Sequence, residues 1–280
     1  MEVADRIGQA GASLTPAERR VAEVVLEHPQ LVAFGTVADL AEQSRSGAAT
    51  VVRLATKLGF DGFTALQASV QHDLARQLRP AAERIREPAA TDAIANHLDL
   101  EVENVRTTLS SLEEDAVADV VAHLASTRSR VFVLSGDASA GIAVQLTNDL
   151  AALRNQVTLI VGNEVAVDRQ VSQLGRSDVV VMLDVRRYDR WLIEAATGAR
   201  RAGVWAVALT DSLLSPLASI ADRTLVIAAA GAGPFDSHVG TLSLCNLLVA
   251  GTADRLRAAA TQRLDRAEAA WQGSGALVDR

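Results

Sequence analysis

The texture of the chain changes near residue 130, and that change limits what it can fold into. From there on, short runs rich in Val, Ile and Leu recur at residues 130–135, 156–161, 178–184, 203–209 and 224–228. Each run is followed by a turn and a helix-like stretch. Near-continuous apolar strands separated by helices predict a parallel sheet covered on both faces. Five such strands make one doubly wound unit, and a last long helix is predicted over residues 241–270.

Before residue 130 the periodicity is helical throughout. Thr15, Pro16 and Glu18 form a helix start: a capping hydroxyl, a proline at the first helical position, and a glutamate three residues after the cap. Val21, Val24, Val25 and the later Leu31 continue as an apolar stripe, and Pro29 ends that helix. Thr36 opens a second helix with Val37, Leu40 and Ala41 on one face. A polar break, Ser44-Arg45-Ser46-Gly47, leads into a third helix over residues 48–58 with Val51, Leu54, Ala55 and Leu58 inward. Gly59 stands where a helix C-cap glycine belongs. Pro80 and Pro88, with charges between them, mark a linker. Helical periodicity then resumes over 92–112 and 113–126.

The expected domains are a helix-turn-helix domain over 1–80, a linker helix region over 81–109 and an α/β domain over 110–272. With 280 residues and 49% hydrophobic content there is material for a core in each part. No run of about 18 uncharged apolar residues occurs, so no membrane span is expected. The N-terminus shows no basic stretch followed by an apolar block, hence no secretory signal. The single cysteine, Cys245, excludes an intramolecular disulfide and fits a reducing compartment. A cytoplasmic protein is the expectation.

The net charge of −7 argues against non-specific coating of nucleic acid. It leaves room for a small DNA-reading face, because phosphate contacts depend on local charge. Residues 36–58 fit helix, tight turn, helix, a motif whose second helix lies in the major groove. Its outer face is expected to offer Ser46, Ala49, Thr50, Arg53 and Lys57. No acid lies between Gly47 and Phe60 in an otherwise acidic chain. Taken alone, the same pattern also describes a three-helix packing unit with two solvated cations.

The residues themselves carry a resemblance. Leu14-Thr15-Pro16-Ala17-Glu18-Arg19-Arg20-Val21-Ala22, then Val37-Ala38-Asp39-Leu40-Ala41, then residues 49–60 with Thr50-Val51-Val52-Arg53 and Lys57-Leu58-Gly59-Phe60 closely resemble the N-terminal domain of RpiR/MurR-type regulators. The resemblance spans about sixty residues. It implies that Ser46, Ala49, Thr50, Arg53 and Lys57 contact double-stranded DNA, at a palindromic operator bound by a homodimer or homotetramer. Downstream, the Ala138-Ser139-Ala140 turn and Thr210-Asp211 through Ser215-Pro216-Leu217-Ala218 to Ala221-Asp222 resemble the sugar-isomerase (SIS) domain over roughly 110–260. In that family this domain follows the helix-turn-helix, usually binds phosphosugars and drives dimerisation.

In an open parallel sheet, ligands bind at the carboxyl ends of the strands, near the reversal of strand order. The first such loop runs Ser135-Gly136-Asp137-Ala138-Ser139, small enough for backbone amides to approach an anion. The G-x-G-x-x-G spacing of a dinucleotide loop is absent, so no cofactor is expected. The second loop, Asp184-Val185-Arg186-Arg187-Tyr188-Asp189-Arg190-Trp191, departs from the family's Ser/Gly/Thr-rich phosphate cradle. Arginine grips carboxylate or phosphate in a two-pronged way, while Asp184 and Asp137 accept from hydroxyl or amine groups. A third loop brings Ser237 and His238 to a helix start.

The expected effector residues are therefore Ser135, Asp137, Ser139, Asp184, Arg186, Arg187, Ser237 and His238. The expected effector is a small anion: a phosphosugar, a sugar acid or a related carboxylate. A solvated or dimer-contact arginine cluster paired with Asp189 is the alternative for Arg186, Arg187 and Arg190. An N-cap by Asp236 or Ser237 is the alternative for the third loop. A phosphosugar isomerase is the competing function. It needs a tuned general base, for which only His238 and Glu194 are available, and it has no use for a helix-turn-helix. The scattered histidines give no metal-ligand spacing.

Overall fold

A computed structural model describes residues 3–27, 29–78, 81–86, 92–213 and 215–276. The chain divides into two compact units, Met1–Pro80 and Ala81–Arg280. Pro80 and Pro88, the marks of the expected linker, lie outside the described residues.

The first unit holds α1 (Val3–Ala10), α2 (Pro16–Glu27), α3 (Pro29–Phe34), α4 (Val37–Gln43), α5 (Ala48–Lys57) and α6 (Gly62–Leu78). Helices α2 and α4 start where the sequence places caps. The Thr15 amide donates to Glu18 Oε2 at 2.8 Å, and the Glu18 amide to the Thr15 hydroxyl at 3.3 Å. Thr36 and Asp39 repeat this reciprocal box at the start of α4. Leu31 differs from expectation: it sits on α3, a separate helix that Pro29 begins rather than a continuation of α2. A proline that cannot extend the preceding helix is pre-set for the first position of the next. Gly59 follows α5 at φ +81°. Its amide donates to the Thr56 carbonyl and the Phe60 amide to that of Ala55, a Schellman closure. Val21, Leu40, Val51, Leu54 and Leu66, each fully buried, form the centre of the core.

The second unit holds α7 (Ala81–Arg84), α8 (Ala93–Ser110), α9 (Glu114–Ala125), β1 (Val131–Ser135), α10 (Ala140–Leu153), β2 (Val157–Leu159), α11 (Glu164–Val171), β3 (Val179–Asp184), α12 (Arg190–Arg201), β4 (Trp205–Thr210), β5 (Arg223–Val226), α13 (Val239–Arg255) and α14 (Arg257–Ser274). The strands form one sheet in the order β2-β1-β3-β4-β5. Every pairing is parallel, with Val131 opposite both Val157 and Val179.

Alternate strand residues face opposite sides. Val131, Val133, Val181 and Leu209 pack with Val120 and Leu124 of α9, Leu146 of α10 and Leu248 of α13. Phe132, Leu134, Val180 and Met182 pack with Val167 of α11 and Leu192 and Ala195 of α12. The expected five-stranded, helix-sandwiched parallel sheet is therefore present, following an all-α first unit. Helix α8 packs against α13 within this second unit.

The last helix is interrupted, contrary to the expected single span. Leu256 separates α13 from α14. One turn earlier, after Gly251, the Thr252 hydroxyl bonds back to the Leu248 carbonyl at 2.7 Å, a contact that bends helices. Among the described residues no helix is long and apolar enough to cross a membrane.

Candidate functional site

Two places carry chemistry, one in each unit. In the first, α4 and α5 are joined by a tight turn in which Arg45 adopts φ +47°. Arg20 of α2 holds that turn through the carbonyls of Ser44 (3.3 Å) and Arg45 (3.4 Å). The Ser44 and Ser46 hydroxyls pair at 2.7 Å. Helix α5 thus leaves a rigid corner with Ala49, Val52, Arg53 and Thr56 exposed.

The expected contact residues divide. Ala49 and Arg53 face solvent, and Ser46 is half-buried. Thr50 is a correction to the expected outward placement, since only 7% of it is exposed. It sits one position before Val51 on the inward turn, and its hydroxyl accepts from Arg53 Nη2 at 3.2 Å. Lys57 is exposed but engaged: its ammonium donates to Glu18 Oε2 at 2.9 Å and to the Ser13 carbonyl at 2.6 Å. The Thr15 amide, followed by Lys57, holds the Glu18 carboxyl down at about 2. The local absence of acid along α5 is real in sequence, yet α2 supplies one in space. Arg45, exposed beside the start of α5, is a further cation that the sequence reading did not single out.

In the second unit, strand order reverses between β1 and β3, and the loops after these two strands meet there. Asp184 ends β3 with only 2% of its surface exposed. Its carboxylate accepts from the amides of Val185 (3.0 Å) and Asp189 (2.8 Å). A Cβ on Gly136 would lie 2.3 Å from its Oδ1, so glycine alone lets the β1 loop close over it. Burial pushes the Asp184 carboxyl up to about 6, and the charges of Asp189 and Asp211 push the same way against the two amides. The Asp189 carboxylate in turn accepts the Asp137 amide at 2.6 Å. The small-residue loop thus receives a carboxylate from its own chain.

Arg186 and Arg187 both have positive φ, 37° and 52°, sparsely populated for residues with a Cβ. This conformation turns Arg186 inward. Its Nε lies 3.4 Å from Asp236 and 3.9 Å from Asp211, and Nη2 donates to the Ala229 carbonyl at 3.3 Å. Asp211 also accepts the Tyr188 hydroxyl at 2.8 Å. Burial raises both the Asp211 carboxyl and the Tyr188 hydroxyl above their ordinary ranges. Arg187 is exposed.

Among the other expected residues, Ser135 is buried. Ser139 and His238 keep a buried polar atom, Oγ and Nδ1, without a hydrogen-bond partner among the described residues. The Ser237 hydroxyl donates to Glu101 of α8 at 2.5 Å. Asp137, Asp184 and Arg186 are thus gathered across the reversal, while Ser237 is engaged from α8. Sequence reasoning missed Asp211 and Asp236 as the carboxylates beside Arg186, and Tyr188 as a donor to Asp211. Asp211 had a signal in the Thr-Asp pair ending β4; Asp236 had none. Among the described residues no group of His, Cys, Asp or Glu could hold a metal ion.

Comparison with known proteins places both units. Residues 1–77 match the helix-turn-helix domain of the rpiR family, and residues 123–251 match the SIS domain. An HTH-type transcriptional regulator of Haemophilus influenzae is 31% identical over 230 residues, covering 80% of this chain and 79% of the relative. The sugar isomerase domain of an RpiR transcription factor from Sphaerobacter thermophilus aligns with TM-score 0.60 and 31% identity, over 62% of this chain and 97% of that one. NanR of Vibrio vulnificus, solved in complex with ManNAc-6P, shares the fold over 97% of this chain and 98% of its own, with TM-score 0.58 and 20% identity. The cornered helix α5, the parallel sheet with its strand-end cluster and these matches agree: the chain belongs to the rpiR family of helix-turn-helix transcriptional regulators that carry a SIS domain.

Proposed function

We propose that α5 reads operator DNA, and that the strand-end loops of the SIS domain bind a small anionic metabolite that changes operator affinity. The observation that carries the first half is α5 itself. Arg53 is exposed and donates to a hydroxyl rather than to a carboxylate, on a helix with no acid of its own. Phosphate contacts would come from Arg45 and from Lys57 once it exchanges Glu18 for the backbone. A homodimer or homotetramer belongs to this reading, because two-fold symmetry matches a palindromic operator.

Support for an anionic effector comes from Arg186. Two carboxylates of the chain already lie beside its guanidinium. A phosphosugar, a sugar acid or a related carboxylate would compete for the same donors. ManNAc-6P, the ligand named with NanR, is of this chemical kind. The arrangement supports sensing rather than turnover: the buried carboxylates around Arg186 are committed to amides, Tyr188 and guanidiniums.

The test has two arms. Purified protein on its own upstream DNA should give a salt-sensitive gel shift, and a thermal-shift screen of phosphosugars, sugar acids and amino compounds should reveal a stabilising ligand. The double variant Arg186→Ala, Arg187→Ala should keep the gel shift and lose the thermal response. A double variant that still responds as the parent does would sink the pocket assignment.

A further inference from the structure

We infer that Arg84 is a positioning residue that couples the strand-end site to the chain segment leading out of the helix-turn-helix unit; this rests on the effector reading above. Arg84 ends α7, just beyond Pro80, the last residue of the first unit. Its Nη1 reaches Asp236 Oδ1 at 2.7 Å. Its Nε donates to the Pro234 carbonyl at 2.9 Å, and Nη2 donates to the same oxygen. The side chains of Arg84 and Asp236 are only 16% and 19% exposed.

The same Oδ1 of Asp236 lies 3.4 Å from Arg186 Nε. One carboxylate oxygen therefore stands between two guanidiniums, one on the effector loop and one at the entrance to the second unit. A helix of four residues does not hold its own orientation, because one turn meets the full nucleation cost. The Arg84 fork supplies that orientation.

The loop carrying Asp236 is anchored on both sides of it. Asn104 of α8 exchanges hydrogen bonds with the backbone of Ala230 at 2.8 and 3.1 Å. Ser237 is held by Glu101. With its flanks fixed, what can change is which arginine Asp236 serves. An anion arriving at Arg186 releases Asp236 to Arg84 alone, and the entrance helix feels the difference. Sequence reading had no access to this link, since 152 positions separate its partners.

Coupling is reciprocal: if the effector changes DNA affinity, DNA changes the effector site by the same factor. The test needs no identified effector. Amide hydrogen exchange of the full chain is measured with and without a duplex from its own upstream region. DNA is expected to change exchange several-fold at residues 185–189 and 229–238. Arg84→Ala is expected to abolish that change while binding the duplex within about twofold of the parent. Arg84→Lys keeps the charge without the fork and should keep part of the change, which separates loss of coupling from loss of folding. A DNA-dependent change that survives in Arg84→Ala, or one absent from the parent bound to DNA, overturns the inference. Absence of any gel shift by the parent overturns the DNA-reading assignment instead, and the coupling with it.

Discussion

The two candidate sites treat charge in opposite ways. On α5, Arg53 stands in solvent and donates to the Thr50 hydroxyl, and Lys57, at the surface, is held by the largely buried Glu18. At the strand ends, Arg186 is 17% exposed and set between Asp211 and Asp236, while Asp184 is shut beneath Gly136. A surface that meets a polyanion needs cations whose charge is not already cancelled. A site that must bind and release a small molecule can use internal carboxylates as competitors, so that binding exchanges one partner for another.

The largest effect that sharpens this contrast is steric. Gly136→Ala places a methyl 2.3 Å from Asp184 Oδ1 at an ordinary φ of −63°, so the cost is overlap alone. It should destabilise the second unit by about 2–3 kcal/mol, as overpacked sites do. Thermal unfolding should show the SIS transition shifted and the helix-turn-helix transition unmoved.

Next in size is an opposite response to pH. The Asp184 carboxyl is raised to about 6, above its unfolded value near 4. Its contribution is fully present below about pH 4 and lost as pH rises through about 6. The shift corresponds to roughly 2–3 kcal/mol, at about 1.4 kcal/mol per unit. Glu18 is lowered to about 2. Its contribution is present above its unfolded value near 4 and is lost as pH falls through about 2. Unfolding followed in each unit across pH 2–7 should slope oppositely between Asp184→Asn and Glu18→Gln when each is referred to the parent. Equal slopes would erase the contrast.

Arg53→Ala should weaken operator binding by about 1–3 kcal/mol, the range for a base-contacting arginine. The response of the second unit to ligand should be unchanged, as read by titration of the same protein. The smallest effect belongs to Glu18→Ala. Loss of the capping box should cost the first unit about 1 kcal/mol, while operator affinity holds or rises because Lys57 is released. A fall in affinity would mean that Lys57 acts through Glu18 rather than in spite of it.

Legibility in the sequence followed the range of the interactions. The cap at Thr15, the helix start at Thr36 and the stop at Gly59 depend on residues within five positions, and each stands where the pattern places it. The five strands were legible because burial on both faces leaves unbroken apolar runs. Their ends shifted by one or two residues; β2, at the sheet edge, shortened most. The strand-end rule pointed to the candidate site's general place, and the sheet order puts the reversal between β1 and β3. What was not legible were partners brought from afar. Lys57 meets Glu18 across 39 positions, and Arg186 meets Asp236 from another strand's loop. The inward turn of Thr50 escaped because a hydroxyl beside Val51 fits either face. The break at Leu256 escaped because nothing in the apolar pattern interrupts there.

The most direct test of the central assignment is the salt dependence of binding to the chain's own upstream DNA, measured for the parent and for Arg53→Ala. The expected result is a steep linear fall of log affinity with log salt in the parent. The variant should bind more weakly at every salt concentration. Identical salt curves for the two proteins, or no binding by the parent even at low salt, would contradict the placement of the DNA-reading face on α5.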